Sequence, residues 1–324
     1  MKRRPFVASL VATLAAALAE AQTASNVPAG GLLWIRGSAS AQYIDALRSG
    51  LRALGWVDGK NIRIDDRFLV DSYEGLAAAA TQLATAKVNV VLAFGTTAML
   101  AAHKATTAIP IVLAAGTDPV KLGLAASLGR PGGSVTGLTS LPEDLAGKRL
   151  EMLKETVPAM RRFAVVLYPD NYSQIESLRN YEAVARVMNL ELRPVGVRSV
   201  AEFETAMAGV AKLNVQAIAV VNSTLFSANH VRLVAAIAKL RLPAIYSGVD
   251  FAEAGGLMSF GIDLLDNFRL SAGYVDKILK GAKPGDLPIE QPTRLALVIN
   301  SKTAKTLNLN LPKSILARVD RVID

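Results

Sequence analysis

Small polar clusters follow two apolar runs in the first half of the chain. Val88–Phe94 is followed by Gly95-Thr96-Thr97, and Ile109–Ala115 is followed by Gly116-Thr117-Asp118. Short runs rich in β-branched residues predict strands that are buried on both faces of a parallel sheet. In an open α/β sheet, ligands bind just beyond the carboxyl ends of the strands. We therefore expect both polar clusters to border a binding site.

The same pattern recurs between 125 and 133 residues later. The matched pairs are Lys87–Val90 with Lys212–Val215, Phe94–Thr97 with Val221–Thr224, and Ile109–Asp118 with Leu242–Asp250. Any two strand–helix–strand units share some likeness, but here the order, the spacing and the polar strand ends all agree. The repetition predicts two similar α/β lobes that face each other across a cleft.

The polar strand ends carry chemistry that suits an amino acid. Backbone N–H groups and hydroxyls at the start of a helix can hold a carboxylate, and four residues offer them: Thr96, Thr97, Ser223 and Thr224. Asp118 and Asp250 occupy equivalent places in the two repeats and could bind a cationic amino group. All six could instead cap the turn or helix that follows them. The residues alone leave both interpretations open.

Length and composition exclude several classes of protein. At 324 residues, with 51% hydrophobic and 19% charged residues, the chain predicts two globular domains rather than a disordered one. It has no cysteine and only two histidines, His103 and His230. Few residues are therefore available to bind a transition metal or to form a nucleophilic triad. No G-x-G-x-x-G follows a strand, and we expect no cofactor and no metal. The formal charge of +9 is scattered along the chain, which argues against nucleic-acid binding.

The N-terminus has the three parts of a secretory signal. Lys2-Arg3-Arg4 precedes the apolar run Val7–Leu18, and Ala19-Glu20-Ala21 forms a small-residue cleavage site. We expect cleavage near Ala21 and a periplasmic product, whereas a buried N-terminal helix is the alternative. The arginine pair leaves both the general and the twin-arginine export routes open. Because cysteine is absent, no lipid anchor can be attached through a lipobox.

The remaining chain alternates strands and helices, which is typical of a doubly wound parallel sheet. We predict the signal at 1–21, lobe 1 at 27–140 plus 258–285, and lobe 2 at 141–257 plus 286–324, joined by a hinge of several strands. The second strand of lobe 1 is predicted over Asn61–Val70. The glycine-rich stretch Ser127–Gly137 is a turn, because it lacks the spacing of a phosphate-binding loop.

Segments throughout the chain resemble one family, the ABC-transporter substrate-binding proteins with the type I periplasmic-binding fold. They are Ile109–Pro119, Leu128–Leu138, Gly147–Glu151, Leu242–Tyr246, Glu253–Ser259 and Tyr274–Gly281. The resemblance implies a small solute as ligand and a membrane permease with its ATPase as partners. Some members of the family are associated with aromatic amino acids. The cleft positions that match are Thr96, Thr97, Asp118, Asn171, Asn222 and Asp250, together with Ser38 and Tyr246.

From the residues and the resemblance together, we expect a monomeric, non-enzymatic binding protein that closes on an amino acid or an aromatic carboxylate. The carboxylate would face Thr96 and Thr97, and the amino group would face Asp118 or Asp250. Thr224 is also expected to bind the ligand. An exported sensor that docks on a membrane receptor is an alternative. An enzyme with its active site in the cleft is another, although no catalytic base is evident. A repressor of related fold is not expected, because the N-terminus is predicted to be a secretory signal rather than a DNA-binding helix-turn-helix domain.

Overall fold

The computed structural model describes residues 27–140, 145–291 and 295–324, and the predicted signal lies outside these residues. The described strands are β1 Ala29–Leu33, β2 Arg63–Asp65, β3 Val90–Phe94, β4 Ile111–Ala115, β5 Val135–Gly137, β6 Arg162–Leu167, β7 Glu191–Gly196, β8 Ala217–Val220, β9 Ala244–Gly248, β10 Met258–Ile262, β11 Leu295–Asn300 and β12 Arg321–Ile323.

Helices connect most of these strands. The described helices are α1 Ser40–Ala53, α2 Gly75–Thr85, α3 Thr96–Ala105, α4 Leu145–Thr156, α5 Tyr172–Val187, α6 Phe203–Val210, α7 Thr224–Ala228, α8 His230–Ala238, α9 Val249–Glu253, α10 Leu264–Leu279, α11 Ser301–Thr306 and α12 Lys313–Leu316. Single 3₁₀ turns occur at Val200–Glu202 and Pro284–Asp286.

The described strands form two sheets of related topology, one in each lobe. The lobe 1 sheet has the order β2-β1-β3-β4-β5 and is parallel throughout. The lobe 2 sheet has the order β12-β11-β10-β9-β8-β6-β7, and only the β10–β11 pair is antiparallel. Strands β7-β6-β8-β9-β10 repeat the order of lobe 1. The predicted pair of similar parallel-sheet lobes is therefore confirmed.

Hydrophobic cores cover both faces of each sheet, which explains the continuous apolar strands. Every residue of β3, β4 and β8 is buried. On one face of lobe 1, an aromatic cluster joins the sheet to α1 and α10. In this cluster the Tyr43 ring stacks on that of Phe268 with a centroid distance of 4.7 Å, and the rings of Trp34 and Phe94 meet Phe268 edge-on. Helices α2 and α3 cover the opposite face.

Two predicted boundaries are wrong. Strand β2 has three residues instead of the ten from Asn61 to Val70, because Asp65 turns the chain by accepting hydrogen bonds from the backbone N and the guanidinium of Arg67. The boundary predicted at residue 258 places strand β10 in lobe 1, yet this strand pairs with β9 and β11 in the lobe 2 sheet. The helix that follows it, α10, packs into the core of lobe 1, and the last residue of β10, Ile262, packs against that core.

The chain passes between the lobes at three places, which together form the hinge. The first follows β5, the second lies between β10 and α10, and the third precedes β11. The first and third run side by side, since the Thr139 N–H donates to the Glu290 carbonyl and the Glu290 N–H to the Gly137 carbonyl, both at 2.9 Å. The lobes are thus joined by several short segments rather than by a single linker.

Asp263 stabilises the crossing into lobe 1 by capping helix α10. Its Oδ1 accepts hydrogen bonds from the backbone N–H groups of Leu265 at 3.0 Å and Asp266 at 3.2 Å. We expect Asp263→Ala to lower the free energy of unfolding by about 1 kcal/mol, because two helix N–H groups lose their partner. Urea unfolding measures this loss, and Asp263→Asn is the matched control because asparagine caps equally well. Equal destabilisation by both substitutions would contradict the capping role.

Candidate functional site

A cavity of about 110 Å³ lies between the two lobes at the carboxyl ends of their strands. Lobe 1 supplies the residues that follow β3 and β4, and lobe 2 supplies those that follow β6 and β8, together with residues of β9 and of helix α4. The polar and charged lining residues are Thr96, Thr117, Ser140, Arg149, Asn171, Ser173, Gln174, Ser177, Asn222, Ser223, Thr224 and Ser247. The cavity therefore lies beyond the carboxyl ends of the parallel strands, where open α/β sheets bind their ligands.

The wall from lobe 1 is built from the ends of two neighbouring strands. Gly95 adopts φ +93°, a left-handed conformation that glycine favours, and it leads from β3 directly into helix α3. The Thr96 hydroxyl donates a hydrogen bond to Thr117 Oγ1 at 3.0 Å and accepts one from the Thr117 N–H at 3.1 Å. These bonds lock the two strand ends together. The first turn of α3, with N–H groups that have no intrahelical partner, borders the cavity.

The wall from lobe 2 presents two asparagines whose oxygens are already engaged. Asn171 Oδ1 caps helix α5 by accepting from the Ser173 N–H at 3.0 Å and the Ser173 hydroxyl at 2.8 Å. Asn222 Oδ1 accepts from the Ser227 hydroxyl at 2.8 Å. In both residues the amide NH₂ group is thus the end of the side chain left for a ligand. This wall therefore offers hydrogen-bond donors.

Arg149 is the one charged residue among the described residues that line the cavity. It lies on α4, is only 5% exposed, and donates from Nε to the Phe260 carbonyl at 2.7 Å. Burial lowers the pKa of its guanidinium, and the neighbouring Tyr181 hydroxyl counteracts this shift. An arginine nevertheless stays protonated in a protein at neutral pH.

Arg149 lies in one of the segments that resemble the family but is not among the predicted site residues, although the sequence carries a signal for it. Leu145, Arg149 and Leu153 lie four residues apart, so a helix places all three on one face. The leucines predict that this face is buried, and a basic residue in the middle of a buried face needs a partner.

Four of the nine predicted site residues line the cavity: Thr96, Asn171, Asn222 and Thr224. The other five do not, namely Ser38, Thr97, Asp118, Tyr246 and Asp250. Thr97 is half-buried one residue beyond the cavity wall on α3. Asp118 Oδ1 accepts a hydrogen bond from the Val120 N–H at 2.8 Å, so it caps its own turn. Tyr246 is buried in the core of lobe 2, stacked on Phe251 with a centroid distance of 5.2 Å, and burial raises its pKa.

Ser38 and Asp250 instead lie at direct contacts between the lobes. The Ser38 N–H of lobe 1 donates to the Ala228 carbonyl of lobe 2 at 2.9 Å. The Tyr43 hydroxyl of lobe 1 donates to Asp250 Oδ2 at 3.3 Å. The rings of Tyr73 and Tyr168 also meet across the cleft, at 4.5 Å. The lobes are thus in contact in this structure, and the cavity lies between them.

Asp250 has an unusual environment for a carboxylate. Its side chain is 17% exposed, and burial raises its pKa to about 6. His230 Nδ1 lies 3.9 Å from Asp250 Oδ2, and its Coulombic effect, together with the Tyr43 hydroxyl, opposes the rise. The same His230 nitrogen lies 2.9 Å from the Ser227 carbonyl oxygen, to which its N–H can donate.

Neither a metal cluster nor a membrane span is found in the described part of the chain. Over residues 27–140, 145–291 and 295–324, no group of three or more His, Asp or Glu side chains is placed to hold a metal ion. No helix among these residues combines the length and the apolar character needed to cross a membrane.

Two α/β lobes of the same topology, with a polar cavity between their strand ends, define a two-lobed solute-binding protein of the type I periplasmic class. The family model described as "ABC transporter substrate binding protein" matches residues 32–323. The chain therefore belongs to the ABC transporter substrate-binding protein family, which is a family of solute-binding proteins rather than enzymes.

Several known proteins are similar to this chain. A tyrosine-binding protein of Clostridioides difficile is 30% identical over 260 residues, which cover 79% of this chain and 73% of that protein. The structure of an ABC domain in complex with L-Trp from Streptococcus pneumonia is 25% identical, with a TM-score of 0.83 over 92% of this chain and 100% of that one. A conserved domain protein of Vibrio cholerae is 26% identical, with the same TM-score and coverage.

Proposed function

We propose that this protein is the extracytoplasmic receptor of an ABC importer, which binds an amino acid or an aromatic carboxylate and passes it to a membrane permease. The observation that carries the proposal is the cavity between the lobes, whose walls come from both lobes at the ends of their parallel strands. Membership of the substrate-binding family supports the same role. Secretion through the predicted N-terminal signal would bring a monomeric protein to the outer face of the membrane.

The divided wall explains how binding would be coupled to delivery. Thr96 and Thr117 belong to lobe 1, whereas Asn171 and Asn222 belong to lobe 2. A ligand can contact both sets only while the lobes are together, so it stabilises that arrangement through its differential affinity. A permease that recognises the closed arrangement would thereby distinguish loaded from empty protein. The hinge segments would absorb the rotation.

The similar proteins support an amino acid as the solute class. One is a tyrosine-binding protein, and another was crystallised in complex with L-Trp. The expected ammonium partners, Asp118 and Asp250, lie outside the cavity. An amino group bound in this cavity would therefore donate its hydrogen bonds to uncharged oxygen atoms.

A ligand panel tests the proposal on the mature protein, residues 22–324. We expect L-tryptophan, L-tyrosine or L-phenylalanine to stabilise it, since a ligand at 100 times its dissociation constant adds about 2.7 kcal/mol to the unfolding free energy. Sugars and nucleosides are the negative panel. X-ray scattering should show a smaller radius of gyration with the bound amino acid, and the ligand should be recovered unchanged. Stabilisation by sugars alone would contradict the ligand class, and an unchanged scattering profile would contradict closure.

A further inference from the structure

We propose that Arg149 binds the carboxylate of the ligand, so that a carboxylate is the group this site requires. The inference rests on the proposed function, because it assigns the ligand class of the same cavity. It replaces the expectation that Thr96 and Thr97 of lobe 1 hold the carboxylate, and it moves the anchor to helix α4 of lobe 2.

The geometry of Arg149 leaves most of its hydrogen-bonding capacity for a ligand. A guanidinium carries five N–H donors in one plane. The Nε donor is used on the Phe260 carbonyl at 2.7 Å, which fixes the orientation of that plane. The two terminal nitrogens carry the other four donors, and the Tyr181 hydroxyl is the polar neighbour of the guanidinium. Two parallel N–H donors match the two oxygens of a carboxylate.

The charge of Arg149 has no compensating anion among the described residues. Within residues 27–140, 145–291 and 295–324, no carboxylate oxygen lies within 4.0 Å of its nitrogens, and no described lining residue is acidic. Glu155 on the same helix pairs instead with Arg318 at the surface, at 2.7 Å. A buried charge without a counterion is costly, whereas pairing and hydrogen bonding recover that cost. A ligand anion would supply the counterion that the described residues do not.

The surrounding groups favour the same orientation of an amino acid. The amide NH₂ groups of Asn171 and Asn222 add donors to the lobe 2 wall, because the oxygens of both side chains are occupied. The hydroxyls of Ser177 and Ser247 donate to the carbonyls of Ser173 and Val220, both at 2.9 Å. Their lone pairs remain as neutral acceptors, which can receive an ammonium group but hold it less firmly than a carboxylate would.

Calorimetry on the mature protein with matched ligand analogues tests this assignment. The probes are L-tryptophan, indole-3-propionate, which lacks the amine, and tryptamine, which lacks the carboxylate. We expect indole-3-propionate to bind within about tenfold of L-tryptophan and tryptamine to bind at least 100-fold more weakly. The same comparison applies to L-tyrosine, 3-(4-hydroxyphenyl)propionate and tyramine. Tryptamine or tyramine binding as tightly as the matching propionate would overturn the proposal.

Two variants on helix α4 locate the effect at the guanidinium. Arg149→Met should weaken the binding of both carboxylates at least 100-fold. Lys148→Met removes the same charge from an exposed neighbouring position and should leave binding unchanged. Equal weakening by both variants would overturn the assignment, because it would show a general effect of net charge.

Thermal unfolding of the ligand-free variants gives a second readout. If Arg149 serves to bind an anion, Arg149→Met should change the melting temperature by less than about 5 °C, because the variant removes an uncompensated buried charge as well as the hydrogen bond to the Phe260 carbonyl. A fall of more than about 5 °C relative to Lys148→Met would show a structural arginine and overturn the assignment. If no aromatic compound binds the wild-type protein, the proposed ligand class fails, and unfolding of the variants still decides the role of Arg149.

Discussion

Replacing Gly37 with alanine is expected to weaken ligand binding by about 100-fold while each lobe stays folded. A Cβ atom at Gly37 would lie 2.0 Å from the Ala228 carbonyl oxygen and 2.4 Å from its carbonyl carbon and Cα, all of them backbone atoms of the other lobe. Backbone atoms cannot swing away as a flexible side chain can, so the lobes must separate. Overpacking of this severity costs up to about 3 kcal/mol, which corresponds to about 100-fold in affinity.

The defect should appear only when the lobes meet. Gly37 lies outside the left-handed φ region, so alanine introduces no backbone strain in lobe 1. Calorimetry with the tightest amino acid of the panel measures the affinity, and X-ray scattering measures closure. Gly129→Ala is the matched control, because a Cβ there meets nothing within 4 Å and the residue is also in lobe 1. A Gly37→Ala protein that binds and contracts like the wild type would show that the ligand-bound lobes do not meet at Ala228.

Asp250 is expected to make the stability of the protein fall as the pH rises from about 4 to about 6. Its pKa in the folded protein is about 6, whereas an unfolded aspartate titrates near 3.9. Between these values the folded protein binds more protons than the unfolded chain. The stabilisation is therefore complete below about pH 4 and is lost as the pH rises through 6. A difference of about two pKa units corresponds to about 3 kcal/mol.

Urea unfolding at pH 4, 5, 6 and 7 measures this contribution. Acids with lowered pKa values, such as Asp65 and Glu155, contribute in the opposite direction, so wild type and Asp250→Asn must be compared at each pH. We expect Asp250→Asn to gain stability relative to the wild type between pH 4 and 6. The groups facing Asp250 are Tyr43, His230, Glu253 and, at longer range through Tyr43, Asp263. A constant difference between the two proteins across this range would contradict the raised pKa.

The architecture of the protein can be predicted from the amino-acid sequence. Apolar runs such as Val88–Phe94 and Ile109–Ala115 specify buried parallel strands, because a strand covered on both faces needs apolar side chains on both. The repeated order of these runs predicted two similar lobes, and the sheet topology confirms it. The position of the cleft also followed, because the carboxyl ends of parallel strands meet at one edge of a sheet.

Which side chains face the cavity depends on how the two folded lobes pack. Asp118 and Asp250 occupy equivalent strand ends in the sequence, yet one caps its own turn and the other meets Tyr43 across the cleft. Local patterns cannot separate these outcomes, because they depend on how two folded lobes dock. Arg149 likewise could not be assigned to the site from local sequence. Helical spacing places it on a buried face, but the packing of α4 beside β10 directs its charge toward the cavity. Burial follows from the local sequence, whereas the partner of a buried group is set by contacts between residues far apart in the chain.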